Sequence, residues 1–347
     1  MATMQDIADR VGVHRVTVSN VLNGKLKFGR SDAFARAAEI RRVAMEMGFR
    51  PSSAAKATRT GRTGFVGMIR SPLLAYSVHN PAFDMGIDEA LHERGLCLVR
   101  DIIDHAARPE DVTVPRIVRE NSVDGLIINY VMGTPPLIRE VLDRCRVPAI
   151  WINRKRDHNC VHPADEGAAF DATVHLLQHG HKDVLFLGAT LRTAKNPHEP
   201  HYSSIDRQVG YARAMTDAGL TPRVRNEPAP THVGVAGEGD MLTFFLEQLS
   251  ASDRPSAVLC GAGGGREMLY AASLLKLRVP QDLSVMTFDD EAAADHKVRV
   301  DRVLGPNASM GTTAISELCA LIDAPDEPRK PVVLPFEFHI TGTVGRL

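Results

Sequence analysis

The first 50 residues combine apolar positions at helical spacing with tight turns. A Thr-x-x-Asp capping pattern opens at Thr3 and predicts a short helix that ends near Gly12. Apolar positions on one face predict a second helix over 14–22, and a third is predicted over 31–47. Two short helices about a glycine turn, supported by a third, form a helix-turn-helix. Because any small three-helix bundle has such faces, the pattern alone leaves DNA binding and a solvated surface equally open.

From residue 64 onward, short apolar runs alternate with stretches of helical periodicity. The apolar runs predict strands over 65–69, 96–103, 123–128, 147–152, 184–187, 257–260 and 283–288, with a further short strand near His232. The periodic stretches predict helices over 83–94, 109–120, 135–144, 168–179, 206–218, 240–249 and 266–276. This alternation indicates doubly wound parallel sheets in two lobes, so the predicted fold class is an all-α head followed by an α/β core.

Charge is distributed unevenly between these two parts of the chain. The whole chain has 41 basic and 42 acidic residues, a net charge of -1, whereas residues 1–62 hold 12 basic and 5 acidic residues, a net charge of +7. A basic module raises the local concentration of phosphate groups, which favours a polyanionic partner for the head. The predicted domains are a DNA-binding head at 1–49, a hinge or linker at 50–63 and a core at 64–347.

Several other classes of protein lack support in the sequence. The five cysteines are widely spaced without a Cys-x-x-Cys pair, which argues against zinc and against a disulfide framework. No signal-like start and no apolar run of about 18 residues occur, so we expect a soluble, cytoplasmic protein without a membrane partner. Arg266 stands where a dinucleotide loop needs a small residue, and no Gly-x-Ser-x-Gly elbow is present. We therefore expect no enzyme activity, cofactor or metal.

The residues of the head resemble those of a known family. The stretch Met4-Gln-Asp-Ile-Ala-Asp-Arg-Val-Gly-Val-His-Arg-Val-Thr-Val-Ser-Asn-Val-Leu-Asn-Gly24 resembles the opening of the LacI/GalR family of bacterial transcriptional regulators. The resemblance implies that Arg15, Val16 and Asn20 read base edges in the major groove. Their side chains suit guanine, a thymine methyl group and adenine, respectively.

The resemblance also implies contacts to the DNA backbone. Thr17, Ser19 and Asn23 would bind phosphates and set the register without reading sequence. His14 stands where the family usually has a Ser that caps the second helix. Because His is a poorer cap, we expect His14 to contact phosphate instead.

The segment that joins head and core resembles the family's hinge helix, in which two copies enter the minor groove of DNA. Composition alone would equally allow a flexible basic linker. Aligning Ala55-Lys56-Ala57-Thr58 with the usual Ala-Arg-x-Leu places Ala55, Lys56 and Thr58 at the minor groove, with Thr58 at the Leu position. Lys56 can still act there through its charge, whereas Thr58 cannot supply the apolar wedge that unstacks bases.

Landmarks of the same family recur through the core. They are Gly180-His-Lys-Asp-Val-Leu-Phe-Leu-Gly188, Arg207-Gln-Val-Gly-Tyr211, Val279-Pro-Gln-Asp-Leu-Ser-Val-Met-Thr-Phe-Asp-Asp290 and Met310-Gly311. The resemblance therefore covers nearly the whole chain. It implies a periplasmic-binding-protein-like pair of lobes that hinge around an effector, commonly a sugar or a nucleobase.

Ligands of doubly wound sheets lie beyond the carboxyl ends of the strands, which is where effector contacts are expected. The candidates are Ser71, Asn153, Arg154, Arg207, Gly261, Gly263 and Asp289. Arg207 is foremost, because the matching family Arg often hydrogen-bonds the effector; an ion pair between domains is its alternative role. Asp165, within Val161-His-Pro-Ala-Asp165, matches a family Asp and is expected to orient the lobes rather than touch the effector.

The strand predicted over 257–260 is followed by a departure from the family. Most relatives read Cys-x-Asn-Asp there, and that Asp often binds sugar hydroxyls, whereas this chain has Cys260-Gly-Ala-Gly-Gly-Gly265. Either the effector is different and uses backbone N–H groups at the start of the next helix, or the site has been lost. Amides at a helix N-terminus favour an anionic group, so an anionic or phosphorylated effector stays open beside a sugar.

These observations together predict a sequence-specific regulator, a repressor, that binds a pseudo-palindromic, double-stranded DNA operator as a homodimer and responds to a small-molecule effector. The alternative from a different class is a solute-binding protein with the same two lobes. That protein would need an export signal and would have no use for the head.

We expect the protein to bend its operator less than is usual for the family, because Thr58 replaces the wedging Leu. Gel phasing of the complex with operator DNA measures the bend. A full-sized kink would contradict this expectation.

Overall fold

A computed structural model describes residues 2–24, 31–50, 57–58, 60–71, 78, 80–103, 116–120, 123–130, 138, 140, 142, 144, 146–188, 201–226, 238–261, 264–290 and 299–347. The chain divides into two units, Met1–Thr63 and Gly64–Leu347.

The described helices of the first unit enclose a small apolar core. They are α1 (Met4–Val11), α2 (Arg15–Leu22) and α3 (Ser31–Glu46). Ile7, Val18, Val21 and Ile40 are buried together, so each helix contributes its apolar face. At the start of α1, Thr3 and Asp6 form a reciprocal capping box. Gly12 ends the helix in the left-handed conformation, with φ of 72°. The helices predicted for the head are confirmed.

The described strands of the second unit form two sheets. They are β1 (Phe65–Arg70), β2 (Cys97–Ile102), β3 (Gly125–Asn129), β4 (Ala149–Ile152), β5 (Cys160–Pro163), β6 (Val184–Gly188), β7 (Arg223–Asn226), β8 (Ala257–Cys260), β9 (Ser284–Asp289), β10 (Asp301–Leu304), β11 (Val332–Leu334) and β12 (Glu337–His339). The first sheet has the order β11-β5-β4-β3-β1-β2, and the second has the order β12-β10-β9-β8-β6-β7. Described neighbours pair in parallel, except that β12 runs antiparallel to β10.

Helices cover the faces of both sheets and complete the two lobes. They are α4 (Pro81–Glu93), α5 (Arg116–Arg119), α6 (Asp165–Gln178), α7 (Tyr202–Asp217), α8 (Glu238–Ser250), α9 (Gly265–Leu274) and α10 (Asn307–Asp323). Residues of α4 and α10 share a core with the first sheet, whereas residues of α6 and α7 share a core with the second. Two doubly wound, largely parallel lobes confirm the predicted fold class.

Within the described residues the chain passes between the sheets three times. It crosses after β5 into α6, after β10 into α10, and between β11 and β12. Each lobe therefore contains segments that are distant in sequence. Helices of one lobe pack closely: a Cβ on Gly210 of α7 would lie 2.0 Å from the Glu166 carbonyl oxygen of α6. Only a glycine allows that approach.

The structure adds strands that the apolar pattern did not predict: β5, β7, β10, β11 and β12. They have three or four residues, and β7 reads Arg-Val-Arg-Asn, so no apolar run marks it. The strand predicted near His232 lies outside the described residues. The described residues of the helices predicted over 109–120 and 135–144 are helical from Arg116 to Arg119 and at 138, 140, 142 and 144.

A buried carboxylate anchors the C-terminal segment. Asp301 of β10 is fully buried and accepts hydrogen bonds from the backbone N–H groups of Thr341, Gly342, Thr343 and Val344 at 2.5 to 3.3 Å. The Thr341 hydroxyl donates a further bond to Oδ1 at 3.1 Å. Successive amides that converge on one carboxylate fix the path of residues 341–344.

Replacing Asp301 with Asn should lower the free energy of unfolding by about 3 kcal/mol, because buried amide donors then lose their charged acceptor. Urea unfolding measures the difference. Asp217→Asn, at an exposed position at the end of α7, is the matched control and should change stability by less than about 0.5 kcal/mol. Equal effects of the two substitutions would show that Asp301 is not an anchor.

Candidate functional site

Helix α2 presents a mixed polar and apolar surface to solvent. Val18 and Val21 point into the core of the head, while Arg15, Val16 and Asn20 are exposed. Val16 is 57% exposed although it is apolar. Because Arg15 and Val16 are the first two residues of α2 and Asn20 follows one turn later, one stretch of the surface carries a guanidinium, a branched aliphatic group and an amide.

His14 caps α2, which corrects the expectation that it would not. Its Nδ1 accepts a hydrogen bond from the Val16 backbone N–H at 3.2 Å. An imidazole nitrogen can thus replace the usual hydroxyl oxygen, because His14 has the extended backbone conformation of an N-cap. Nδ1 is therefore occupied, and a phosphate contact would have to use Nε2.

The other end of α2 is closed by Asn23. Its Nδ2 donates to the Ser19 carbonyl oxygen at 2.6 Å and lies 3.2 Å from the Ser19 hydroxyl oxygen. Asn23 therefore positions Ser19, and its own amide donors are engaged within the helix. Thr17 is partly buried between these exposed positions.

The hinge candidates fall partly outside the described residues. Ala55 and Lys56 lie outside them, whereas Ala57 and Thr58 are helical. The Gly61 N–H donates to the Ala57 carbonyl oxygen at 2.7 Å, and Thr58 is exposed.

In the core, a group of polar residues joins the two lobes where β4 ends; we call it the interlobe cluster. Its members are Asn153, Asp165, His201, Tyr202 and Arg207. Asn153 of the first lobe accepts a hydrogen bond from the Tyr202 hydroxyl at 2.9 Å through Oδ1, and from His201 Nε2 at 3.0 Å through its carbonyl oxygen. Asn153 has φ of 49°, a conformation that non-glycine residues adopt at a cost and that is frequent in functional sites.

The Arg207 guanidinium makes two hydrogen bonds and lies over two aromatic rings. Nε donates to Asp165 Oδ1 at 2.6 Å, and Nη1 donates to the Gly261 carbonyl oxygen at 2.7 Å. The guanidinium carbon lies 4.3 Å from the ring centroid of Phe288 and 5.5 Å from that of Phe336. Asp165 and Arg207 both belong to helices of the second lobe, so this ion pair lies within one lobe, directly after the chain has crossed from the other.

Burial dominates the electrostatics of the cluster. It raises the pKa of Asp165, an effect that the Arg207 guanidinium opposes, and it raises the pKa of Tyr202, which therefore stays protonated and donates to Asn153. Asp165 Oδ2 is buried and has no hydrogen-bond donor among the described residues. A buried acceptor of this kind can accept a hydrogen bond from a ligand.

His201 is a neutral cap of α7. Its Nδ1 accepts from the Ser203 backbone N–H and lies 2.7 Å from the Ser203 hydroxyl oxygen. Since the Asn153 carbonyl oxygen can only accept, Nε2 carries the proton. Burial lowers the pKa of His201 to about 4, so the ring is uncharged at neutral pH.

The remaining candidates lie at the strand ends but are not all joined to the cluster. Ser71 is fully buried after β1, and Arg154 lies 5.8 Å from the Trp151 ring centroid. Asp289 Oδ2 is 3.6 Å from Arg302 Nη1. Gly263 lies outside the described residues. Thus the structure brings Asn153, Arg207 and Gly261 together with Asp165.

Sequence reasoning missed His201, Tyr202 and the two phenylalanines that flank Arg207. His201 and Tyr202 lie a few residues before the helix predicted over 206–218, and an aromatic pair before a helix was the available signal. No sequence signal marked Phe336. It lies between β11 and β12, and it approaches Arg207 because the chain crosses there to the second lobe.

A second polar contact links the lobes at the start of α4. Asn80 Nδ2 donates to the Asp290 carbonyl oxygen at 2.5 Å, while Asn80 Oδ1 caps α4. Asn307 Nδ2, at the start of α10, donates to the same carbonyl oxygen at 3.0 Å. The Asp290 carbonyl oxygen of the second lobe is therefore bound by Asn80, which also caps α4, and by Asn307 of α10.

The described residues bring together no group of three His, Cys, Asp or Glu side chains that could hold a metal ion. Nor does any described helix have the length and apolar character that crossing a membrane requires.

Acid should destabilise the protein through His201. Its pKa lies near 4 in the folded state and at the ordinary 6.5 when exposed, so the unfolded chain binds the proton first as pH falls. Stability is therefore complete above pH 6.5 and is lost down to pH 4, by about 3 kcal/mol in total from this residue. Urea unfolding across this range should give a shallower pH dependence for His201→Asn, which keeps a capping side chain. Identical pH dependences would contradict this assignment.

Comparison with known proteins gives a consistent result. The family described as "Periplasmic binding protein-like domain" matches residues 173–344. The HTH-type transcriptional repressor PurR of Pectobacterium atrosepticum is 26% identical over 331 residues, which cover 92% of this chain and 89% of PurR. Probable HTH-type transcriptional repressor ExuR of Bacillus subtilis is 24% identical over 365 residues, covering 100% of this chain and 99% of ExuR.

Among solved structures, the lac repressor dimer bound to operator and the anti-inducer ONPF has a TM-score of 0.73 at 20% identity and covers 99% of both chains. At this identity the likeness shows the fold alone. The head, the two crossed lobes and the full-length relatives agree with the motifs in the sequence: over nearly its whole length this chain is similar to bacterial transcriptional repressors of the LacI/GalR type.

Proposed function

We propose that this protein is a sequence-specific DNA-binding transcriptional repressor that acts as a homodimer on a pseudo-palindromic operator. The observation that carries the proposal is the exposed surface of α2, where Arg15, Val16 and Asn20 project from a helix that packs against the head by its other face. An exposed valine is unfavourable in water, and contact with a thymine methyl group would remove it from solvent.

The contacts divide by chemistry into base reading and positioning. Arg15 matches the two acceptors of guanine, and Asn20 matches the donor and acceptor of adenine. Thr17 and Ser19 are hydroxyl donors for phosphates, His14 can use Nε2, and Asn23 holds Ser19 in place. In the hinge, Ala55, Lys56 and Thr58 are the proposed minor-groove residues.

A small-molecule effector in the interlobe cluster would control operator affinity. The lobes are joined by three crossings and by the contacts of Asn153 with α7, so a ligand that binds there favours one angle between the lobes. Any such preference gives a coupling free energy between effector binding in the core and operator binding by the head. The proposed contacts are Ser71, Asn153, Arg154, Arg207, Gly261, Gly263 and Asp289, with Asp165 positioning Arg207 where the chain crosses between the lobes.

The ion pair bears on the class of effector. Asp165 already neutralises Arg207, and Asp165 Oδ2 is an acceptor that lacks a donor. A ligand that donates hydrogen bonds, such as the hydroxyl groups of a sugar, complements this arrangement better than an anion does. The relatives named above are regulators rather than enzymes, in keeping with a binding function.

Fluorescence anisotropy with the upstream DNA of the protein's own gene and a shuffled control, across a salt series, tests the proposal. We expect selective, salt-sensitive binding that disappears when residues 1–62 are deleted. Arg15→Ala and Asn20→Ala should each weaken binding to the specific fragment by about 1 to 3 kcal/mol and barely change binding to the control.

Arg41→Ala, at an exposed position in α3, is the matched control for loss of charge and should affect both fragments alike. Candidate effectors added to the complex should change the anisotropy in either direction. Equal binding of the wild type to both fragments, with and without metabolite pools, would refute a sequence-specific regulator.

A further inference from the structure

The first lobe has a cavity at the amino ends of its strands. Its volume is about 660 Å³, and it lies between the start of β4, residues 156–159 before β5, and the turn after α10. Asn153 and the interlobe cluster lie at the opposite, carboxyl end of β4. We call this space the β4 cavity. Its principal polar and aromatic lining residues are Arg146, Trp151, Arg156, His158, Asn159 and Asp326.

In the part of the chain that the structure describes, the two arginines of the β4 cavity have no ion-pair partner. Neither Arg146 nor Arg156 forms an ion pair with any residue that the structure describes, whereas the nearby Arg329 pairs with Glu317 at 2.7 Å. Asp326 is the one carboxylate among the described lining residues. With Arg146 and Arg156 against one carboxylate, the described lining carries a net positive charge.

The walls of the β4 cavity are held in an unusual backbone conformation. Arg146 has φ of 49° and Asn159 has φ of 53°, and these are two of the four described non-glycine residues with positive φ. Asn159 is fixed by Arg329: its N–H donates to the Arg329 carbonyl oxygen at 2.8 Å, and its Oδ1 accepts from the Arg329 N–H at 2.7 Å. Such conformations persist where the surroundings impose them, often at ligand sites.

The rest of the lining is apolar. Leu142, Pro148, Leu321 and Pro325 face the same space as Trp151, whose ring is covered by the Arg156 guanidinium at 4.6 Å. An apolar wall beside unpaired guanidinium groups matches a molecule that has an apolar body and an anionic end. Arginine binds the oxygens of a carboxylate or a phosphate through paired donors.

We propose that the β4 cavity is a second ligand site, which binds a small organic anion with a carboxylate or phosphate group on an apolar body. Arg146 and Arg156 hold the anionic group, and Trp151 with the leucine and proline side chains contacts the body. The site is separate from the interlobe cluster, so both ligands can be bound at once.

The chain provides its own reporter for this site. Trp151 is the only tryptophan in the sequence, and it lines the cavity beneath Arg156. An anion that engages Arg156 changes the charge and contacts next to the indole, and hence its emission. Titration of the full-length protein with phenyl phosphate and with benzoate should therefore give a saturable change in tryptophan fluorescence, and calorimetry of the same pairs detects binding that leaves the emission unchanged.

Variants assign the binding to the proposed residues. Arg146→Gln and Arg156→Gln should each raise the Kd for the preferred probe about tenfold, in line with loss of a charged hydrogen bond. Arg144→Gln is the matched control: Arg144 is exposed, pairs with Glu140 at 2.9 Å and is not among the lining residues, so it should titrate like the wild type. Benzyl alcohol, which lacks the charge, should not bind.

The relative affinities of the two probes tell phosphate from carboxylate. Absence of saturable binding of both probes by fluorescence and by calorimetry would overturn the proposal, as would wild-type affinities in both cavity variants. Because these titrations contain no DNA, their outcome is independent of the repressor function proposed above.

Discussion

The crossing of the chain from one sheet to the other constrains almost everything in the core. Immediately after β5 ends at Pro163, α6 begins with Asp165, whose carboxylate is fully buried against Arg207. A buried carboxylate is tolerated only when it is paired and hydrogen-bonded, so the start of α6, the guanidinium of α7 and the Gly261 carbonyl must stay together. The polar residues that join the lobes are arranged around this pair.

The same crossings connect the lobes without merging their apolar cores. The inner faces of the sheets have separate apolar cores, one shared with α4 and α10 and the other with α6 and α7. Between the lobes the contacts described here are mainly hydrogen bonds, such as those of Asn153 and Asn80. A rotation of one lobe would exchange polar contacts and leave both cores intact, as the proposed control by a ligand requires.

The head, the interlobe cluster and the β4 cavity differ in how their charged groups are partnered. The head is basic and displays its polar groups to solvent, as recognition of DNA requires. In the interlobe cluster Asp165 pairs with Arg207 and His201 is neutral, so the effector proposed for it would be selected through hydrogen bonds. The β4 cavity has the opposite character, because its guanidinium groups are left without partners in the described chain.

The sequence by itself determined the three helices of the head, the surface of α2 and the alternation of strands and helices, because these depend on local periodicity, caps and turns. It also pointed to Asn153, from its place after a strand, and to Arg207, from the family resemblance, as candidate effector contacts. Only the tertiary structure decided that Asp165 pairs with Arg207 and that Phe336, from the far end of the chain, covers the same guanidinium. The short strands β10, β11 and β12 were likewise set by pairing and by the bonds of Asp301 to residues 341–344, and not by any apolar run. Contacts between residues about 40 or more positions apart leave no local pattern, and for that reason they could be seen only once the chain was folded.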